Sequence, residues 1–400
     1  MHGSFGPIEL IVLQGTSFCN LNCSYCYLSE SSRKQRGSMS LEAIESVFSR
    51  ILASPYVGET LHVSWHSGEP LVLPPDYYRR AIDRILGLKK QLLPHGLRVR
   101  FDIQTNGTLI DASWCEFFKD YRDVLGVGVS CDGPDFLHDA HRHTWAGKPT
   151  HRQTVRGMDM LRANDIVFDI IAVVSEKGLA YPREFLNFFR PYAGRIGEFH
   201  FNLLDEFTGN APSPAWTARY AGKYERFLES LLSEIRSTDD ALVVRNFSSF
   251  FEHLLADAEG AAQRTARTLS RPFKTLNIDI AGNVSTFYAG LAEDGCKDIY
   301  GDGRGLTVGN LLSQELEDIA RSPKLQRIAD DFERSHRACE SSCEFASVCP
   351  GGYNLVKHNR FGTFEATETP ECFVHVKTFA RVMLQDIERS ISPAHPTPTA

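Results

Sequence analysis

The sequence contains no stretch of the roughly 18 apolar residues that a membrane helix requires, and its first residues, MHGSFGPIELIVLQG, lack the basic start and the apolar length of a secretory signal. These absences lead to the expectation of a cytoplasmic protein with no membrane partner. Strongly basic runs are also missing, and the net charge is -7, so no nucleic-acid partner is expected. No internal repeat is visible, and the glycine-rich pieces GVGV and GDGRG lack the strand-turn-helix context of a dinucleotide loop. Cysteine is absent between Cys131 and Cys296 although the chain has 10 in all. Grouped in this way, in a reducing compartment, cysteines point to metal ligation rather than to disulfides.

What is present is enough for a large core: 400 residues, 42% of them hydrophobic, on the scale of two or three domains. Strand-like runs at Ile8–Leu13, Leu61–Trp65, Val99–Ile103, Val127–Cys131, Phe168–Val174 and Glu198–Leu203 alternate with helical segments, which predicts six βα units and a parallel sheet. SLEAIESVFSRIL, with Ser40 as N-cap, and DYYRRAIDRILGLKKQL from Asp76 are the clearest helices. Alternation stops near residue 207. GNAPSPAW is a linker, Ala218–Leu255 reads as helical, and TLNIDIAGNVSTFYAG reads as two strands about Ala281-Gly282-Asn283. The expected divisions are 1–207 for the βα half, 208–270 for linker and bridging helices, 271–385 for a cysteine-rich unit and 386–400 for a disordered, Pro-rich tail.

In parallel βα architectures ligands gather at the carboxyl ends of the strands. Strand one is followed by Cys19, Cys23 and Cys26, and strand two by His66-Ser67-Gly68-Glu69-Pro70. Strand three leads to Gln104-Thr105-Asn106-Gly107, strand four to Ser130-Cys131-Asp132-Gly133, and strand six to Leu203-Leu204-Asp205-Glu206. Turns are rich in such residues for backbone reasons alone. Five chemically equipped strand ends on one face nevertheless predict a site. Three cysteines are one too few for a closed zinc site and one too many for a dithiol pair, which leaves one metal position for a substrate or cofactor. A zinc site completed by His62 or His66 is the alternative. Cys115 and Cys131 are expected to be small buried hydrophobes.

Cys19-x3-Cys23-x2-Cys26, with Tyr25 before the last cysteine, together with Ser67-Gly68-Glu69-Pro70 after strand two, resembles the radical S-adenosylmethionine superfamily. The resemblance implies an α/β fold, a partial (β/α)6 barrel, and a 4Fe–4S cluster whose fourth ligand is S-adenosylmethionine itself. By the family pattern, Ser67 to Pro70 line the methionine amino group, Ser130 and Arg142 reach ribose and carboxylate, and the backbone near Tyr25 meets the adenine. Asn106 and Leu204, at the ends of strands three and six, complete the expected cosubstrate contacts. A guanidinium fork suits a carboxylate because it binds both oxygens.

The cysteine-rich half carries Cys339-x3-Cys343-x5-Cys349, then Pro-Gly-Gly, then Cys372. This resembles the SPASM extension of radical enzymes that modify peptides, and implies one auxiliary 4Fe–4S cluster, with a structural zinc as the alternative. A second auxiliary set is not expected, because Phe287 and Tyr353 stand where that pattern has cysteines and Cys296 is left unligated. Together with HSGEPLVLPPDYY and the stretch from His141-Arg142 to Gly147-Lys148-Pro149-Thr150, the extension is most similar to maturases that form three-residue cyclophanes in ribosomally made precursor peptides. That resemblance implies a precursor-peptide substrate and a low-potential electron donor; because strand one begins near residue 8, no leader-binding module is expected ahead of it. The alternatives are oxidation of a Cys or Ser side chain, as in the anaerobic sulfatase maturases, and a noncatalytic iron-sulfur protein. Those maturases have an aspartate where this chain has Tyr288. Candidate bases are Asp132, Asp205, Glu206 and Tyr288.

Overall fold

From residue 8 to residue 203 strands and helices alternate as the sequence predicts: β1 Ile8–Leu13, β2 Val57–Trp65, β3 Arg98–Thr105, β4 Leu125–Ser130, β5 Phe168–Val174 and β6 Ile196–Leu203. The computed structural model describes residues 5–93, 96–204, 212–238, 242–255, 271–286, 298–349 and 351–391. Between successive strands run α1 Leu41–Ala53, α2 Pro75–Leu92, α3 Ala112–Asp120, α4 His151–Ala163 and α5 Pro182–Phe189. The six strands pair in parallel and in sequence order, which gives the partial (β/α)6 barrel. Ser40 caps α1, its side chain accepting from the Ala43 amide, and α1 buries Leu41, Ile44, Val47, Phe48, Ile51 and Leu52 at three- and four-residue spacing. Each such side chain contributes roughly 1.5–3 kcal/mol when fully buried.

Two helices beyond β6 manage the open edge of the barrel. Ala218–Leu255, expected to be helical, forms two helices, α6 Pro214–Arg236 and α7 Arg245–Leu255. From the first turn of α7, Asn246 accepts from the Phe201 amide at 3.0 Å and donates to the Phe201 carbonyl at 2.8 Å, occupying the exposed ladder of β6. Phe185 of α5, Phe199 and Phe201 of β6 and Phe227 of α6 interlock behind that edge.

At the other edge the cysteine-rich half joins the same sheet. β7 Thr275–Ile278 pairs in parallel with β1, then antiparallel with β8 Asn283–Thr286, as the predicted strand-turn-strand reading has it. A further strand, β9 Thr307–Asn310, was not predicted; it completes a nine-stranded sheet of order β6-β5-β4-β3-β2-β1-β7-β8-β9. α8 Pro323–Ser342, α9 Asn354–Phe361, a π-helical turn Cys372–Lys377 and α10 Thr378–Ile391 come after it. α10 returns to the barrel, where Arg236 pairs with the buried Asp386 and Phe247 stacks on Phe379. The tail expected from residue 386 is therefore helical as far as Ile391, because the buried end of the ion pair lies on it. Among the described residues no helix is long and apolar enough to cross a membrane.

Candidate functional site

The three-cysteine loop is stitched to neighbouring strand ends on almost every side. The Cys19 amide donates to the Arg33 carbonyl at 3.0 Å, and Trp145 Nε1 donates to the Cys19 carbonyl at 2.9 Å. Asn22 and Ser24 donate their amides to His143 and His141 at 2.7 and 2.9 Å, so the loop pairs with the segment after β4. From the β3 side, Asn106 Nδ2 donates to Asn20 Oδ1 at 2.8 Å, while Asn20 Nδ2 donates to Thr108 Oγ1 at 2.9 Å. Arg33, buried, donates to the Leu28 carbonyl and to Asn22 Oδ1. Asn106 thus orders the cysteine loop with its side chain.

The thiols of Cys19, Cys23 and Cys26 are half-buried and unpaired by disulfides. Burial, then the Glu69 carboxylate and the neighbouring cysteines, pushes the Cys19 thiol up to about 12. Burial raises Cys23 as well, against the Arg142 guanidinium. Crowded thiols of this kind ionise readily only when a metal takes the charge. Among the described residues no three His, Cys, Asp or Glu side chains close on a point that a single ion would fill. A polynuclear cluster, held at its corners, needs no such convergence, and the donor set fits one.

After β2 the backbone turns through two left-handed residues, Ser67 at φ 76° and Gly68 at φ 70°. A Cβ on Gly68 would lie 2.5 Å from the Thr16 carbonyl oxygen, so only glycine fits. The turn sends Glu69 inward, where it is 1% exposed. Its carboxylate accepts from the Leu71 amide at 2.9 Å, the Thr105 hydroxyl at 2.7 Å and the Asn106 amide at 2.8 Å, tying β2 to β3. Burial raises the Glu69 pKa even against those bonds. Pro70, also buried, accepts from the Tyr78 hydroxyl through its carbonyl at 2.8 Å. The side chain of Glu69 organises the turn.

Arg142 differs from expectation in the same way. Its Nε and Nη2 donate to Asp132 Oδ2 and Oδ1 at 2.9 and 3.1 Å, in a pair of which both members are buried. The fork expected for a cosubstrate carboxylate is filled by the protein's own. Asp132 also accepts from the Tyr25 hydroxyl and from the Val173 amide, and Arg142 lies over the Tyr25 ring at 5.4 Å. Burial pushes the Asp132 carboxyl up, but the Arg142 charge and these bonds prevail and hold it below its ordinary value. A carboxylate with four donors and a depressed pKa makes a poor base. Asp205, Glu206 and Tyr288, the other candidate bases, lie outside the described residues, as do Phe287 and Cys296.

Ser130 accepts from Gln104 Nε2 at 3.0 Å, across a face that Gly128 leaves clear. Leu204 donates its amide to the Val174 carbonyl at 2.8 Å, so the end of β6 joins the same rim. Cys115 and Cys131 are buried, as expected. In the cysteine-rich half, Cys339 lies in the last turn of α8 with Cys343 as the helix C-cap, Cys349 comes after a turn, and Cys372 opens the π-helical turn. Burial, then Cys349 and more weakly Cys339, pushes the Cys372 thiol up to about 12, and burial with Cys339 and Cys343 raises Cys349. His336, one turn before Cys339, is buried with neither ring nitrogen hydrogen-bonded. Four crowded thiols beside an orphaned imidazole fit a buried metal group. At the end of the cysteine loop Tyr27 shares a hydrogen bond with the Ser67 hydroxyl at 3.1 Å and stands beside His66, and burial pushes its phenol up to about 12.

Sequence reasoning missed Asn20, Arg33 and Trp145. Asn20 could have been found as a polar residue inside the ligand spacing, whereas a buried arginine carries no local signal.

A parallel βα sheet with a three-cysteine loop after its first strand, backed by a glycine turn after its second, defines an enzyme of radical S-adenosylmethionine type. The sequence model of the Radical SAM superfamily matches residues 13–189, so this part of the chain is a radical SAM domain, whose cofactors are S-adenosylmethionine and a 4Fe–4S cluster. The uncharacterized protein sll1766 of Synechocystis sp. is 34% identical over 391 residues, 98% of this chain and 95% of that one. The serine-type anaerobic sulfatase-maturating enzyme of Bacteroides thetaiotaomicron is 34% identical over 188 residues, which is 46% of this chain and only 44% of that enzyme. Among solved structures, native anSMEcpe with bound AdoMet and Cp18Cys peptide superposes with a TM-score of 0.74 at 19% identity, over 96% of this chain and 98% of that one, a likeness of fold.

Proposed function

We propose that the protein is a peptide maturase that joins an aromatic ring carbon to the β-carbon of a residue two positions later in a ribosomally made precursor peptide. Cys19, Cys23 and Cys26 would hold the first cluster, and Cys339, Cys343, Cys349 and Cys372 one auxiliary cluster. The single observation that carries the reading is the pairing of the strand-end site with one four-cysteine set, in a chain that has Phe287-Tyr288 where the sulfatase maturases have cysteine and aspartate. When bound, S-adenosylmethionine and the first cluster supply removal of a hydrogen atom from an unactivated carbon. The chain's own residues do the rest. The Tyr25–Asp132–Arg142 cluster fixes the ligand loop, Glu69 and Asn106 lock the neighbouring turns, and Tyr27 and His66 flank the mouth through which a peptide would enter. A low-potential donor would supply the starting electron.

A second reading, oxidation of a Cys or Ser side chain to an aldehyde, is supported by the likeness to the Bacteroides enzyme and by the fold shared with a peptide-bound anSMEcpe. Product analysis separates the two. A crosslinked peptide is lighter by about two mass units per bond and unreactive toward hydrazine reagents. A product that reacts as an aldehyde, or that has lost sulfur, assigns the second reading instead.

A further inference from the structure

Lys357, on the first turn of α9, is 3% exposed. Long ammonium side chains are almost never buried unless an anion or a full set of acceptors meets them. Here the Lys357 ammonium donates to Ser335 Oγ at 2.9 Å, to the Ser335 carbonyl at 3.3 Å and to Cys339 Sγ at 3.0 Å. The Ser335 hydroxyl in turn donates to Asn354 Oδ1 at 2.7 Å, so its lone pairs stay turned to the lysine. Three protons meet three acceptors, and none of these is a carboxylate. The one partner able to carry a negative charge is the Cys339 sulfur. Against a neutral thiol the buried cation would be unmatched, whereas against the thiolate of an anionic iron-sulfur cluster it is matched at contact distance.

We propose that Lys357 is a positioning residue that raises the reduction potential of the auxiliary cluster held by Cys339, Cys343, Cys349 and Cys372. This rests on the cluster assignment made under the proposed function. Reduction adds one negative charge to a cluster already anionic. A fixed positive charge in a low-dielectric interior, donating an N–H···S bond to a ligand sulfur, stabilises the reduced form more than the oxidised one. In ring-to-β-carbon bond formation the peptide loses two hydrogens. One leaves as an atom to the adenosyl carbon, and the other leaves as a proton to water and an electron. Cys339, Cys343, Cys349 and Cys372 would hold the auxiliary cluster that could take up that electron, and Lys357 would make it a better acceptor.

The test uses the full chain carrying Cys19→Ala, Cys23→Ala and Cys26→Ala, reconstituted without oxygen so that only the auxiliary cluster is present. Its midpoint potential is read by redox titration of the paramagnetic reduced state, with iron counted in parallel. Lys357→Met and Lys357→Gln are expected to lower the potential at unchanged iron content, and Lys357→Arg to restore most of it. An unchanged potential in Lys357→Met with iron retained overturns the proposal. So does loss of the iron from both Lys357→Met and Lys357→Gln, which would make the lysine a folding residue. If the parent protein binds no iron, the cluster assignment itself is wrong and the inference falls with it. If the potentials move as expected while the wild-type protein forms no crosslink, tuning by Lys357 stands and the crosslinking reading falls.

Discussion

Arg142 holds Asp132 through two parallel hydrogen bonds, Nε to Oδ2 at 2.9 Å and Nη2 to Oδ1 at 3.1 Å, with both residues buried beneath the cysteine loop. The pair is the pin on which Tyr25, one residue before Cys26, is hung.

Breaking the pin should destabilise the protein rather than remove a proton-transfer step. Asp132→Asn leaves a buried guanidinium unmatched and is expected to cost about 3–5 kcal/mol in denaturant unfolding of the metal-free protein. The Asp132 pKa is depressed in the fold, so the pair's contribution is complete above the ordinary value of 3.8 and is lost as pH falls through the depressed one. The gap between wild type and variant should therefore close in strong acid. Unaltered stability with lost product formation would instead make Asp132 a base.

Gly68→Ala should weaken S-adenosylmethionine binding with little change in iron. A Cβ there meets the Thr16 and Phe18 carbonyl oxygens at 2.5 and 2.9 Å, at a φ of 70° that already disfavours alanine, so the turn must move. The backbone strain alone is of order 1–3 kcal/mol. Equilibrium dialysis with the labelled cosubstrate reads the effect, and wild-type affinity would remove the turn from the binding site.

Glu69→Gln replaces one acceptor oxygen by a donor facing the Asn106 amide or the Leu71 amide and Thr105 hydroxyl. A buried donor without an acceptor costs about 1–3 kcal/mol. The variant is expected to lose stability of that size and some cosubstrate affinity while keeping its iron. A variant as stable as wild type would show that the carboxylate is not holding β2 and β3 together.

Iron content tests the count of clusters. Protein reconstituted without oxygen should hold about eight irons, and Cys19→Ala, Cys23→Ala and Cys26→Ala together about half of that. A wild-type value near twelve would reveal a second auxiliary cluster.

Contiguous patterns were legible in the sequence and tertiary ones were not. β1 to β6 announce themselves by apolar runs bounded by turns, Ser40 marks the start of α1, and three closely spaced cysteines need no structure to be seen as a set. The pairing of Arg142 with Asp132 was not legible because a guanidinium fork reads the same whether it faces a cosubstrate or a carboxylate of the chain; only the fold sets the two together. Asn246 on the edge of β6, the break between α6 and α7, β9 and the burial of Lys357 are likewise settled by long-range contacts that no window of sequence contains.

The central claim is that a hydrogen atom leaves a peptide β-carbon, which then bonds to an aromatic ring. Its most direct test is a precursor peptide deuterated at the β-carbon of the residue to be joined, incubated with reconstituted protein, reductant and S-adenosylmethionine. The account predicts deuterium in the 5′-deoxyadenosine, one nucleoside per bond formed, and a peptide that has lost one deuterium and one ring hydrogen and gained no oxygen. Unlabelled 5′-deoxyadenosine, or a labelled one accompanied by a peptide aldehyde with an intact aromatic ring, would contradict it.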